Sequence, residues 1–383
     1  MSTLLQPALG AEIPLPTFAP DDDPHSTPRT NLGQLPAEER FLTWGARFAA
    51  LGIAWVVVDQ LLPVHGIFWL IFVAAVANVV LLAVGTAVRG SNVEITDRIA
   101  QWVVSTGTVI VLVALGSVMI FVFKRGWSAL HHANFWFDDM TGVGAQDPLN
   151  KGGILHAILG SLIELGIASA IALPLGVGTA VFMNEIGGRF ARVVRTVVEA
   201  MTALPDILAG LFIYTVWIIA LGFPRSGLAA GLAITVMMLP IIARASDVVL
   251  RVVPGTLREA SFALGASRWA TVWRVVLPTA RSGLATALIL AIARGVGETA
   301  PVLITSGNAT FVHLDPTSGV MNSLPLFIFT AARSGIDIQV ERAFGAAAAL
   351  LLLVLILFIT ARMLARPSTG KTSILRRLRG KLL

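Results

Sequence analysis

The sequence contains no cysteine, and only 13% of its 383 residues are charged. Without cysteine, the chain can form no disulfide, thiolate nucleophile, iron–sulfur cluster or cysteine zinc site. Its six histidines are scattered without a carboxylate framework, so we expect no metal site. No nucleophile elbow or comparable catalytic arrangement occurs. A match to the end of a phosphate-binding loop at 368–372 fails because Ala365 stands where its first glycine would be. The sequence therefore predicts no cofactor and no ATPase site of its own.

Apolar residues make up 56% of the chain, and the mean hydropathy is +0.81. A soluble core could not bury that much apolar surface, and only helices or closed barrels satisfy their backbone in lipid. The apolar runs are continuous rather than alternating, which favours helices. We therefore predict an all-α, polytopic membrane protein. Eight segments are long enough to be candidate spans: 48–64, 67–88, 102–123, 153–183, 193–221, 226–248, 282–306 and 343–364.

Basic residues are concentrated in two regions. The segment 249–281 carries five arginines, and the chain after residue 361 carries seven basic residues. Because arginine and lysine collect in cytoplasmic loops, we expect both regions and the N-terminus to face the cytoplasm. The net charge of +6 is then a topology signal, and we expect no nucleic-acid partner. Residues 1–40 contain seven prolines and an acidic run, which predicts a disordered cytoplasmic tail rather than a signal peptide.

The stretch 257–278, between the sixth and seventh candidate spans, predicts a helix–joint–helix element. Gly265 can adopt the positive φ that ends a helix. After it, apolar residues recur at spacings of three and four, which predicts one stripe formed by Trp269, Val272, Trp273 and Val276. A proline precedes the next span. Without further information, this pattern is also that of an ordinary amphipathic loop.

The spacing within 257–278 is more specific, and it resembles the EAA loop of ABC-importer permeases. That resemblance implies that the loop docks on a separate ATPase subunit. The positions that would carry the coupling are Glu259, Ala260, Gly265, Leu277 and Pro278. Ser261 stands where the family usually has alanine, and Val275 where it usually has isoleucine.

Further segments resemble the PstA permease family of phosphate-specific importers over about residues 102–366. The most specific are Ile241–Arg244, Leu250–Pro254, Ala291–Pro301 and Met321–Pro325. The resemblance implies a type I permease core of six helices in a bacterial inner membrane. It also implies three kinds of partner besides membrane lipid: a PstC-like second permease, a PstB-like ATPase dimer and a PstS-like receptor that delivers inorganic phosphate. The two spans within 41–101 and the basic tail 367–383 lie outside this pattern.

Among the charged residues inside predicted spans, where a lone charge is costly, four matter most. Arg294 and Glu298 are four residues apart, and Arg244 and Asp247 are three apart, so each pair shares a helix face. Two ion pairs that only fix helix packing are one interpretation. The other is that both arginines line a phosphate route and the acids orient them, since the planar guanidinium meets two phosphate oxygens at once. For Glu164 and Asp206, a structural role is favoured over a transport role.

The sequence therefore predicts the permease subunit of an ATP-driven phosphate importer, and three alternatives stay open. An importer of another oxyanion, such as sulfate or molybdate, would have the same architecture. An ion-coupled secondary transporter would need inverted repeats and no ATPase-docking loop. A membrane scaffold would tolerate loss of the charges inside the spans.

Overall fold

A computed structural model describes residues 37–61, 66–88 and 92–365. Of the predicted tail 1–40, residues 1–36 lie outside this part of the chain, as does the predicted tail 367–383, whereas 37–40 belong to the first helix. Every regular element in the described part is helical. In chain order the helices are α1 Ala37–Trp55, α2 Ile67–Ala87, α3 Asn92–Leu130, α4 Ala133–Phe137, α5 Leu155–Val181, α6 Gly188–Thr202, α7 Asp206–Ile213, α8 Gly227–Val252, α9 Gly255–Ala263, α10 Arg268–Thr271, α11 Leu277–Val296, α12 Ala300–Thr305, α13 Leu324–Ala332 and α14 Asp337–Ala365.

Six helices in the described residues are long and apolar enough to cross a membrane, which confirms the all-α membrane fold. They cover Ile67–Ala87, Ile95–Leu130, Leu155–Ile186, Gly227–Val252, Arg268–Val296 and Asp337–Met363. The first predicted span, 48–64, is not among them. Only eleven apolar residues, 48–58, separate Arg47 from Asp59, which is about 17 Å of helix against a hydrocarbon core of about 30 Å.

The predicted span 193–221 is wrong as a single helix. It consists of α6 and of α7 with its π-helical continuation to Ala220, and the two parts are bent by 103°. The break falls at Leu204-Pro205. Proline lacks a backbone N–H and disfavours helical geometry in the residue before it, so the helix cannot continue through this point. A long apolar run concealed this local interruption.

The chain divides into two compact units, 1–114 and 115–383, with the boundary inside α3. In the first unit, α1 packs on α2, and the side chains of Ala54, Val58 and Leu82 are buried. The predicted domain limit at 101/102 stays a prediction.

The core of the second unit is built around α5 and α8, the most extensively packed helix pair of the described chain. Small residues bring the two helices together: a Cβ at Gly176 would lie 2.8 Å from the side chain of Ile242. Helix α11 packs on both members of this pair, and α14 packs on α11. The buried cluster includes Leu165, Ala168, Ala172, Ile234, Met238, Ile242 and Ala291. This rigid pair positions the charged residues of α8 and α11.

Two loops, 131–154 and 306–323, are tied together by Asp139. The N–H groups of Thr141 and Val312 donate to its two carboxylate oxygens, each at 3.0 Å, and the N–H of Met140 donates to the carbonyl oxygen of Thr310 at 2.8 Å. Burial alone would raise the pKa of Asp139, but the hydrogen bonds to its carboxylate outweigh burial and lower the pKa. The hydrogen bonds from Thr141 and Val312 therefore require an ionised Asp139.

We expect Asp139→Asn to speed amide hydrogen exchange at Val312 by about tenfold, because an amide nitrogen would face one backbone N–H. Hydrogen bonds to charged acceptors contribute about 1.5–3 kcal/mol each, less where solvent screens them, and about 1.4 kcal/mol corresponds to tenfold. A group with a lowered pKa stabilises the fold above its unfolded pKa, and this stability is lost as pH falls through the folded pKa. After correction for the slower intrinsic exchange at low pH, acidification of the wild type should thus reproduce the lost protection of the variant in exchange mass spectrometry. Asp138→Asn is the control, and equal exchange in both variants would contradict the assignment.

Candidate functional site

A cavity of about 670 Å³ opens between α7, α8 and α11. Its wall is mostly apolar, and three charged side chains interrupt it: Asp206, Arg244 and Arg294. A large pocket with few polar groups converging on it is the usual form of a ligand site. Asp206 enters the cavity because it is the first residue of α7, directly after the bend at Pro205. Two guanidinium groups against one carboxylate leave the wall with one excess positive charge.

Arg294 and Asp206 form the principal ion pair of the cavity. Arg294 Nη2 lies 2.9 Å from Asp206 Oδ2 and 3.2 Å from Oδ1. The Arg294 side chain is 53% exposed and that of Asp206 is 31% exposed. Both partners are therefore accessible from the cavity, and the pair is not a sealed packing element. The sequence favoured a structural role for Asp206 over a transport role, and that preference stays a prediction.

Glu298 and Arg244 occupy different environments. Glu298 Oε1 lies 3.9 Å from Arg294 Nε, which places the predicted partner at the outer limit of an ion pair. Arg244 is exposed in the cavity wall, and no ion pair or hydrogen bond of its side chain occurs within the described residues. Arg294 is thus flanked by two acids, whereas Arg244 presents an uncompensated guanidinium.

The predicted pairing of Arg244 with Asp247 is wrong. Asp247 is buried outside the cavity wall, where its Oδ1 accepts from Asn184 at 2.7 Å and from Arg195 at 3.1 Å. Its Oδ2 accepts from Arg251 at 2.7 Å. Residues three apart on a helix differ by about 60° in direction, which is enough for Arg244 to face the cavity while Asp247 faces α6. Asp247 fixes α6 to α8, and the sequence pattern alone does not distinguish these two helix faces.

The 257–278 segment has the expected joint at Gly265, whose φ is +79°. Glu259, Ala260 and Pro278 are exposed, and Leu277 is partly buried. The two helices on either side of the joint are held by a 2.8 Å hydrogen bond between the buried hydroxyls of Ser261 and Thr271. Ser261, a departure from the resemblance, therefore has a structural reason.

The predicted separation of this element from the following span is wrong. The chain is helical without interruption from Arg268 to Val296, and Pro278 follows the π-helical turn Val272–Val276 within this helix. The predicted apolar stripe is also divided: Val272 and Val276 are buried, whereas Trp269 and Trp273 are 69% and 56% exposed. One rigid helix thus connects the exposed tryptophans to Arg294 in the cavity.

Arg258 anchors the segment to the rest of the unit, and sequence reasoning missed it. Its Nε donates to Glu185 at 3.0 Å, and its other nitrogens donate to the carbonyl oxygens of Val253 and Leu250 at 2.8 and 3.0 Å. Glu185 lies in the π-helical turn Phe182–Ile186 that continues α5, 73 residues earlier. No local pattern could have indicated this pair.

Residues 172–367 match the family model of the binding-protein-dependent transport system inner membrane component. The phosphate transport system permease protein PstA 1 of Mycobacterium tuberculosis strain CDC 1551 is 39% identical over 279 residues, which are 73% of this chain and 91% of that protein. This chain belongs to the PstA permease family. The PstA protein of Haemophilus influenzae is 35% identical over 218 residues, 56% of this chain and 77% of that protein. The PstA resemblance noted in the sequence is therefore confirmed.

A solved structure shares the fold of this permease. It is a bacterial alginate ABC transporter in complex with an alginate pentasaccharide-bound periplasmic protein. The similarity has a TM-score of 0.51 and 14% sequence identity, and it covers 71% of this chain and 96% of the other. At this identity the match supports the architecture of the PstA permease alone.

Proposed function

We propose that this chain is the membrane-spanning permease subunit of an ATP-driven importer of inorganic phosphate. The observation that carries the proposal is 39% identity to a phosphate transport permease across 91% of that relative's length. The chain has the helices that a permease requires, and an arginine-bearing cavity suited to an anion lies among them.

In this proposal Arg244, Arg294 and Glu298 belong to the substrate pathway together with Asp206. A phosphate oxygen would replace Asp206 as the acceptor for Arg294, because the guanidinium can donate to only a limited set of oxygens in its plane. Asp206 would recover the arginine after the anion leaves. Such competition allows binding that is strong enough for entry and weak enough for release. Asp247, predicted for the same pathway, would act indirectly by holding α6 against α8.

The helix–joint–helix element 257–278 would couple the permease to a separate ATPase, with Glu259, Ala260, Gly265, Leu277 and Pro278 at the contact. Its exposed tryptophans and the uninterrupted helix to Arg294 support this role. Closure of an ATPase dimer would then move α11 as a rigid body and change access to the cavity. In this proposal the chain contributes no nucleotide site, and hydrolysis occurs in the PstB-like subunits.

The cavity supports the presence of a second permease. Large apolar side chains at its rim are exposed, among them Leu208, Phe212, Val248 and Leu290. A PstC-like partner would cover this face and supply the other half of the pathway, and a PstS-like receptor would deliver phosphate from outside. We place the complex in a bacterial inner membrane with both termini of this chain in the cytoplasm, as the basic residues indicate.

The test is transport by the reconstituted complex. We expect labelled phosphate to accumulate in vesicles only when ATP is supplied to the ATPase side, and excess unlabelled phosphate to suppress the signal. Stronger competition by sulfate or molybdate would assign another oxyanion. Accumulation driven by an ion gradient without ATP would contradict the importer and favour a secondary transporter.

A further inference from the structure

Glu164 is a buried acid that the proposed pathway does not use. It lies in the middle of α5, its residue is 1% exposed, and it does not line the cavity. Its Oε1 lies 2.6 Å from the hydroxyl oxygen of Ser306, and its Oε2 is buried without a hydrogen-bond partner in the described chain. Among the described residues, no lysine, arginine or histidine forms an ion pair with it. An ionised carboxylate in this environment would be costly.

The contacts of Ser306 show where a proton is needed. Its Oγ lies 2.6 Å from Glu164 Oε1 and 3.0 Å from the carbonyl oxygen of Met321. A serine hydroxyl has one hydrogen, so it cannot donate to both oxygens. Both contacts become hydrogen bonds when the carboxyl group of Glu164 is protonated, donates to Ser306 Oγ and leaves the hydroxyl hydrogen for Met321. The other carboxyl oxygen is then a neutral acceptor, which costs less to bury than a charge.

These hydrogen bonds join Ser306 and Met321, the residues on either side of the connection 307–320. Besides the side-chain contact, the N–H of Met321 donates to the carbonyl oxygen of Ser306 at 3.3 Å. Three residues earlier on α5, Ser161 Oγ accepts from the N–H of Leu324 at 2.8 Å. A Cβ at Gly160 would overlap the carbonyl oxygen of Asn322. One stripe of α5 thus holds both ends of the connection.

The same connection begins next to the proposed pathway. Ser306 directly follows α12, which starts two residues after Glu298 and packs against α7 and α8. A Cβ at Gly210 in α7 would lie 2.5 Å from the backbone of Pro301, so α12 is closely fitted to the helix that begins with Asp206. A displacement of Ser306 from α5 would therefore disturb the two acids that flank Arg294.

We propose that Glu164 is a positioning residue that acts as a neutral carboxylic acid. It donates to Ser306 and so holds the two ends of the connection, Ser306 and Met321, against α5. The inference rests on the proposed function, because phosphate uptake is one of the two measurements that test it. Glu164 does not line the cavity, so it acts on transport through the position of α12 and not by contact with phosphate.

Substitutions in the reconstituted complex test the hydrogen-bond chain. Glu164→Gln keeps a neutral donor of the same size, and uptake should stay within about twofold of the wild type. Glu164→Ala and Ser306→Ala remove a member of the chain and should lower the maximal rate about tenfold, the effect of losing about 1.4 kcal/mol. Ser323→Ala is the matched control, since it deletes a buried hydroxyl that has no partner in the described chain. It should transport normally.

Infrared spectroscopy tests the protonation without any transport. The difference spectrum between wild-type and Glu164→Gln complexes at neutral pH should contain the carbonyl band of a protonated carboxyl group, shifted by deuterium exchange. A carboxylate band in its place would overturn the proposal, as would a Glu164→Gln complex that assembles but transports as poorly as Glu164→Ala. If the Glu164→Ala complex does not assemble, the proposal is still tested by Glu164→Gln, by Ser306→Ala and by the infrared spectrum. A wild-type complex without phosphate uptake that keeps the protonated band would refute the proposed function alone.

Discussion

Replacing Gly265 with aspartate is expected to abolish phosphate uptake by releasing the ATPase from the permease. Gly265 has a φ of +79°, and a non-glycine residue in this region costs about 1–2 kcal/mol. Space is not the obstacle, because a Cβ at this position meets no atom within 4 Å. The substitution would shift α9 against α10 and add a negative charge to the segment that carries the exposed Glu259. Co-purification of the ATPase with the permease, together with ATP-dependent uptake, measures the effect.

Gly255→Asp is the matched control for Gly265. Gly255 is the first residue of α9, two residues before the 257–278 segment, and it also has open space for a Cβ, but its φ is not in the positive range. This variant should retain the ATPase and at least about half of the uptake. Gly265→Ala, which adds backbone strain without charge, should fall between the two. If Gly265→Asp keeps both a bound ATPase and full uptake, the coupling assignment is wrong.

Replacing Arg294 with glutamine is expected to reduce uptake by at least about thirtyfold while the complex still assembles. Glutamine cannot offer phosphate a positive, planar donor, and a thirtyfold loss corresponds to about 2 kcal/mol. Asp206 would also be left facing the cavity without its cation. Labelled phosphate uptake at saturating ATP measures the loss, and recovery of the intact complex on a sizing column verifies assembly.

Arg333→Gln controls for the loss of an arginine. Arg333 lies over the ring of Phe329, away from the cavity and the 257–278 segment, so its loss should change uptake by less than about twofold. Full transport by Arg294→Gln would contradict the pathway assignment and favour ion pairs that only fix helix packing.

Much of the fold could be predicted from the sequence, because the relevant properties are local. Continuous apolar length indicated helices and a lipid environment, and it located six of them. The spacing around Gly265 predicted a joint that the structure contains. The bend at Pro205 was missed because apolar residues continue on both sides of it, and hydropathy averages over such an interruption.

The sequence by itself determined that the protein lies in lipid, that it is helical, which family it belongs to and which arginines are candidates for the pathway. Composition, periodicity and residue order are properties of the chain alone. Only the tertiary structure decided which acid meets which arginine. Arg294 pairs with Asp206 across 88 residues, and Glu164 contacts Ser306 across 142. Such contacts depend on how far each helix is rotated and shifted against its neighbours. Close packing of the whole bundle sets that rotation, and no short segment encodes it.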